Sequence, residues 1–110
     1  MFRKTINPFS VTDKVSFKNM DKTMTLTVKA DATALVVNIK KAYDKLSTVN
    51  DESTDEQKMD AARMFAYSIF GQAQGDALCE FYEDPLTVIT VCGMYFKQRL
   101  ADKITKAQKK

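Results

Sequence analysis

The chain contains no histidine, which removes the commonest general base near neutral pH and the commonest metal ligand. Its two cysteines, Cys79 and Cys92, are too far apart for a Cys-x-x-Cys pair, so a zinc site would need an unusual ligand set. Both stand among apolar neighbours and read as small buried hydrophobes. Glycine is scarce as well. Gly71 and Gly75 form a spaced pair, and neither a phosphate-cradling loop nor a dinucleotide fingerprint surrounds them. The longest apolar run, Leu86 to Phe96, is 11 residues and includes two Thr and a Gly. That is well short of the ~18–20 residues a membrane span needs. The N-terminal MFRKTINPFS is basic but has no apolar core segment, so a secretory signal is not expected and a cytoplasmic product is.

What remains is ordinary for a globular domain: 110 residues, 45% apolar and 28% charged. A chain of this size buries roughly 60–70% of its unfolded surface, enough for one core without metals or disulfides. The expectation is a single domain over residues 1–110. The net charge of +3 conceals segregation, because residues 51–96 carry −7 and residues 97–110 carry +5. Such a dipolar chain favours acid-to-base contact with a partner or head-to-tail with itself, in a salt-sensitive manner. Acidic pairs such as Asp51-Glu52, Asp55-Glu56 and Glu83-Asp84 fall at or before first helical turns, where capping and dipole pairing account for them. Ser68 has no base at a readable spacing. No catalytic residue, cofactor motif or metal site emerges, and the chain is read as a protein other than an enzyme.

Periodicity predicts an α+β, helix-dominated fold. Residues 10–30 alternate as a β-hairpin: Val15 and Phe17 against Lys14, Ser16 and Lys18, then Met24, Leu26 and Val28 against Thr and Lys. Asn19-Met20-Asp21-Lys22 supplies the turn, with Asn and Asp suited to left-handed geometry. A hairpin alone is marginal in water, so its apolar face must lie on helices. Three main helices and one short one are expected. The first spans 31–47, with Asp31 as N-cap and Leu35, Ile39, Ala42, Tyr43 and Leu46 as its apolar stripe. A polar linker, STVNDEST, follows. The second spans 54–70, capped by Ser53 or Thr54, since both spacings offer a capping box, and stopped at Gly71. The short helix, 76–82, opens at Gly75-Asp76. The last spans 85–106, with Asp84 as N-cap and Pro85 at N1. Its stripe is Leu86, Ile89, Gly93, Phe96, Leu100 and Ile104, widened by Val88, Val91, Cys92 and Tyr95. Its first three turns are therefore expected to be the most buried helix of the fold, with Gly93 admitting a close neighbour.

Two features carry partner-binding potential. Seven aromatics fall between Phe65 and Phe96, more than one core readily hides, and Tyr67 and Tyr82 lie off the apolar stripes. With Phe81 and Tyr95 they form the candidate aromatic surface. The basic end offers Lys97, Arg99, Lys103 and Lys106, beside Tyr95 and Phe96, as a phosphate-contacting and stacking surface. Basic residues in the last turns of a helix are also explained by its dipole, and no nucleic-acid-binding motif accompanies them. Nucleic acid is accordingly the alternative partner.

From Phe65 to Leu100 the order of parts is a helix ending in Tyr-Ser-Ile-Phe-Gly, a polar spacer, a short helix ending in Phe81-Tyr82, an acid-rich capping turn, and a closing helix bearing Cys92, Tyr95 and Phe96. With the N-terminal hairpin, this pattern resembles the small tail assembly chaperones of long-tailed bacteriophages and Gram-positive prophages. The chain departs from that pattern in its basic end and in lacking an acidic first helix. The resemblance implies a non-enzymatic role in virion assembly in the bacterial host cytoplasm: sheltering the apolar helices of the tape measure protein and helping tail tube protein polymerise around them. It also makes Lys109-Lys110 compatible with a slippery site for a frameshifted longer form. The rival readings are a nucleic-acid-binding accessory protein and a structural head-tail or tube protein of the virion.

Overall fold

A computed structural model describes residues 9–108; the readings placed on the first eight residues and on Lys109 and Lys110 lie outside them. Strands β1 (Ser10–Asn19) and β2 (Lys22–Asp31) pair antiparallel, with Val15 opposite Leu26 and Phe17 opposite Met24. Their odd-even alternation puts Val11, Phe17, Leu26 and Val28 into the core and lines the outer face with Thr, Ser and Lys. The turn differs from expectation in one respect. Met20, not Asn19 or Asp21, takes the positive φ of 59°, because the two-residue loop places it at the first turn position.

Helix α1 (Ala32–Leu46) starts where Asp31 accepts from the backbone N–H of Thr33 and Ala34. Leu35, Ile39 and Ala42 are buried, whereas Tyr43 lies at the margin of the stripe and remains 38% exposed. Helix α2 (Asp55–Phe70) is capped by Thr54, whose hydroxyl accepts from Gln57 N–H while the Gln57 side chain accepts from Thr54 N–H. Ser53 instead closes the preceding loop on Asn50.

Gly71 stops α2 at φ 81°, ψ 170°, a region essentially restricted to glycine. It also starts the next helix at once. Helix α3 (Gln72–Tyr82) is longer than the expected 76–82, because the polar spacer 72–75 is its first turn. Gly75 is therefore inside a helix and packs against Tyr67. A Cβ there would come within 3.1 Å of the Tyr67 backbone nitrogen and closer still to its ring.

The last helix is continuous but not uniform. It comprises α4 (Pro85–Tyr95), a π-helical turn (Phe96–Leu100) and α5 (Ala101–Gln108), opened by Asp84 accepting from Thr87 N–H. Its buried positions are Val88, Cys92 and Tyr95, then Leu100, Ile104 and Ala107. The five-residue step from Tyr95 to Leu100 is the π-turn, and it resets which face meets the core. The uniform stripe expected from the sequence is thereby corrected: Leu86 is 60% exposed and Phe96 only half-buried. Nor is α4 the most buried helix. That is α2, where Ala61, Ala62, Phe65, Ala66, Ser68, Ile69 and Phe70 are all buried. Gly93 has no close neighbour to admit; a Cβ there would meet Phe65 at 4.0 Å, an ordinary contact.

The α+β arrangement, a hairpin followed by four helices with the last interrupted by its π-turn, closes around one core. Phe17 meets Phe70 edge-on at 5.7 Å, and Phe70 stacks on Tyr95 at 5.8 Å, joining β1, α2 and α4. The side-chain amide of Gln74 on α3 pairs with both backbone groups of Thr27 on β2. Among the described residues no helix is long and apolar enough to cross a membrane.

Candidate partner-binding surface

The outer strip of α1 carries more apolar residues than its core stripe uses. Leu35, Ile39 and Ala42 face inward, while Val36, Val37 and Tyr43 remain 40%, 46% and 38% exposed. Phe96, at the start of the π-turn, lies beside Tyr43 with ring centroids 6.0 Å apart, and Tyr43 in turn rests on Phe65 at 5.2 Å. After the π-turn, α5 runs along α1 with Ala101, Ile104 and Thr105 facing it. The result is an open groove of about 440 Å³ between α1 and α5, floored by Ile39, Tyr43, Phe96 and Ile104. Its polar groups, on Lys40, Asp44, Thr105 and Gln108, belong to side chains along its walls. A small-molecule site instead converges a few polar groups on one point. The groove has the shape and chemistry of a seat for one apolar helix face. Burial keeps the Tyr43 phenol above its ordinary pKa, so it is neutral at physiological pH.

Of the residues singled out from sequence, Tyr82, Tyr95 and Arg99 border one groove beside β1, and the rest do not join them in it. Tyr95 is corrected outright: it is 5% exposed, and its hydroxyl donates to Asp13 Oδ2 at 2.7 Å. Tyr67 is half-buried and donates its hydroxyl to Asp76, the hydrogen bond that chiefly raises its pKa. Phe81 and Tyr82 form an edge-on pair at 5.0 Å that secures the hairpin end. There Asn19 donates to the Phe81 carbonyl at 2.8 Å, and the Tyr82 hydroxyl donates to the Lys18 carbonyl at 2.6 Å.

Three of the four described basic side chains of the arm lie against two carboxylates. Arg99 lies 2.5 Å and Lys103 3.7 Å from Asp13, and Lys106 lies 3.0 Å from Asp102; Lys97 is exposed. The spacing 95, 99, 103 brings three side chains to one buried carboxylate. Burial would raise the pKa of Asp13, but the Tyr95 hydroxyl, then Arg99 and Lys103, outweigh it and hold the carboxyl below its usual value.

Cys92 is sealed in the core, and burial pushes its thiol up to about 12; Cys79 is raised for the same reason. Among the described residues, no cluster of three or more Cys, Asp or Glu is placed to hold a metal ion, and no buried side-chain polar atom lacks a partner. Sequence reasoning missed the α1 strip and Asp13. The signals were Val36-Val37 beside an already complete stripe, and an Asp at an inward-facing position of β1. No protein-family model, curated protein or solved structure matches the chain.

Proposed function

We propose that this protein is a non-enzymatic assembly chaperone that shelters an amphipathic helix of a larger partner, as the tail assembly chaperones it resembles do for the tape measure protein while tail tube protein assembles. The observation that carries this reading is the α1/α5 groove, where Val36, Tyr43 and Phe96 are partly exposed above a floor that includes Ile39 and Ile104. An apolar helix face laid there would cover the exposed parts of Val36, Tyr43 and Phe96, each worth about a third to a half of the ~1.5–3 kcal/mol of complete burial. The nucleic-acid alternative is weakened by geometry, because three of the four described basic residues of the arm lie against carboxylates.

The test is co-expression with a tape measure protein, a long helical protein sought in the gene neighbourhood. The expected result is co-purification and a larger soluble fraction of that protein, both lost in Val36→Glu. Failure to co-purify overturns the reading. A band shift with nucleic acid at moderate salt favours the accessory protein, and self-assembly into rings or tubes at high concentration favours the structural virion component.

A further inference from the structure

The two-stranded sheet has unequal edges. On β2, the Thr27 N–H donates to Gln74 Oε1 at 2.9 Å and the Thr27 carbonyl accepts from Gln74 Nε2 at 2.7 Å. Those bonds also set the phase of the ladder. Both Thr27 backbone groups point away from β1, so its partner Lys14 sits in a non-hydrogen-bonded pair, as do Ser16 and Lys18 two and four residues on. The backbone groups of Lys14, Ser16 and Lys18 therefore face outward along the far edge of β1.

That edge is only partly satisfied. Arg99 donates to the Lys14 carbonyl at 3.2 Å and Tyr82 to the Lys18 carbonyl. The N–H and C=O of Ser16 and the N–H groups of Lys14 and Lys18 have no partner among the described residues. Beside them runs a groove of about 290 Å³ between β1 and α4, lined by Val15, Ser16, Tyr82, Val91, Met94 and Arg99. Met94, on the α4 wall of this groove, is 51% exposed. Lys18 and Arg99 line the groove and Lys14 flanks it; its lining includes no acidic residue, although the Arg99 charge is paired with Asp13 behind it.

We infer that the β1 edge is a strand-addition site for an extended partner segment whose residues alternate apolar and acidic. The unpaired ladder groups supply the affinity. Side-chain alternation supplies the selectivity: one face of the added strand lies on Val91 and Met94, and the other lies opposite Lys14 and Lys18, where carboxylates pair across the strands. The Lys14–Lys18 edge admits about five residues, roughly 17 Å of strand. Arg99 gives up only its bond to the Lys14 carbonyl and keeps Asp13. The site is separate from the α1/α5 groove and does not depend on the chaperone reading.

The probe is a capped synthetic peptide, Val-Glu-Val-Glu-Val-Glu-Val, titrated into the isotope-labelled full chain and followed by NMR. The expected result is shifted resonances and slowed amide exchange at Lys14, Ser16 and Lys18. Two further peptides carry N-methyl groups on alternate residues in opposite phases: one phase should bind as the parent does and the other at least about tenfold more weakly, the size of one lost ladder bond. Replacing Glu by Lys, or using the Met94→Glu protein, should weaken binding comparably. Equal binding of both N-methyl phases, undiminished binding of the Lys peptide, shifts confined to the α1/α5 groove, or no binding at millimolar peptide would each overturn the inference.

Discussion

The hydroxyl of Tyr95 on α4 donates to the carboxylate of Asp13 on β1 at 2.7 Å, across 82 positions of sequence. Arg99 and Lys103, one and two turns further on, complete the surroundings of that carboxylate. A buried charge is costly unless paired and hydrogen-bonded, and here it is both, so the group ties the hairpin to the last helix in one register.

Replacing Asp13 by Ala leaves the Tyr95 hydroxyl buried without its acceptor and should cost ~2–4 kcal/mol, read as a lower urea midpoint. The acid dependence follows from the lowered pKa. The stabilisation is fully present above the ordinary value of 3.8 and is lost as pH falls through the lower folded value. Wild type should therefore lose more stability than Asp13→Asn between pH 4 and pH 2. Parallel acid limbs in the two proteins would contradict the pairing.

The three glycines should respond differently to alanine. Gly71→Ala forces a side chain into a glycine-only backbone region and should cost ~1–3 kcal/mol. Gly75→Ala drives a methyl group against Tyr67 and should cost ~1–2 kcal/mol after the helix-propensity gain. Gly93→Ala meets only an ordinary contact with Phe65 and should gain ~0.5–1 kcal/mol. Thermal unfolding of the three variants would display that order or refute it.

Among the described residues, two side chains sit at positive φ, Met20 at 59° and Glu83 at 61°. Met20 is 94% exposed, so Met20→Gly removes strain without losing packing. Each Gly substitution should stabilise by ~0.5–1 kcal/mol, because the left-handed region penalises a Cβ. A lowered midpoint for Met20→Gly would show that the turn has a different geometry.

Both thiols are buried and carry raised pKa values. A thiol reagent at pH 8 should leave Cys79 and Cys92 unmodified in the native protein and titrate both in denaturant. Rapid native modification of Cys92 would mean that α4 opens easily.

The hairpin, the caps at Asp31 and Asp84 and the stop at Gly71 were legible in the chain, because each rests on local chemistry within about four residues; the second helix's cap was legible only as Ser53 or Thr54, since both offer a capping box. The extent of α3 was not: Gly75-Asp76 reads as the opening of a short helix, and only the proximity of Tyr67 shows why a glycine belongs inside a longer one. The aromatic surface was misread for a similar reason. Tyr95 belongs to a stripe whose depth depends on what packs above it, and Asp13 makes its hydroxyl an interior group.

Alternation and capping, short-range steric and hydrogen-bonding preferences written into neighbouring residues, determined by themselves that this protein is an α+β hairpin-and-helix domain. The tertiary structure alone decided which faces were left over. The π-turn rotates the last helix between Tyr95 and Leu100; Arg99 and Lys103 beyond its start lie against Asp13, and Phe96 at its start lies beside Tyr43. The α1/α5 groove and the open β1 edge follow from how helices and strands far apart in sequence cover one another, which no local preference specifies.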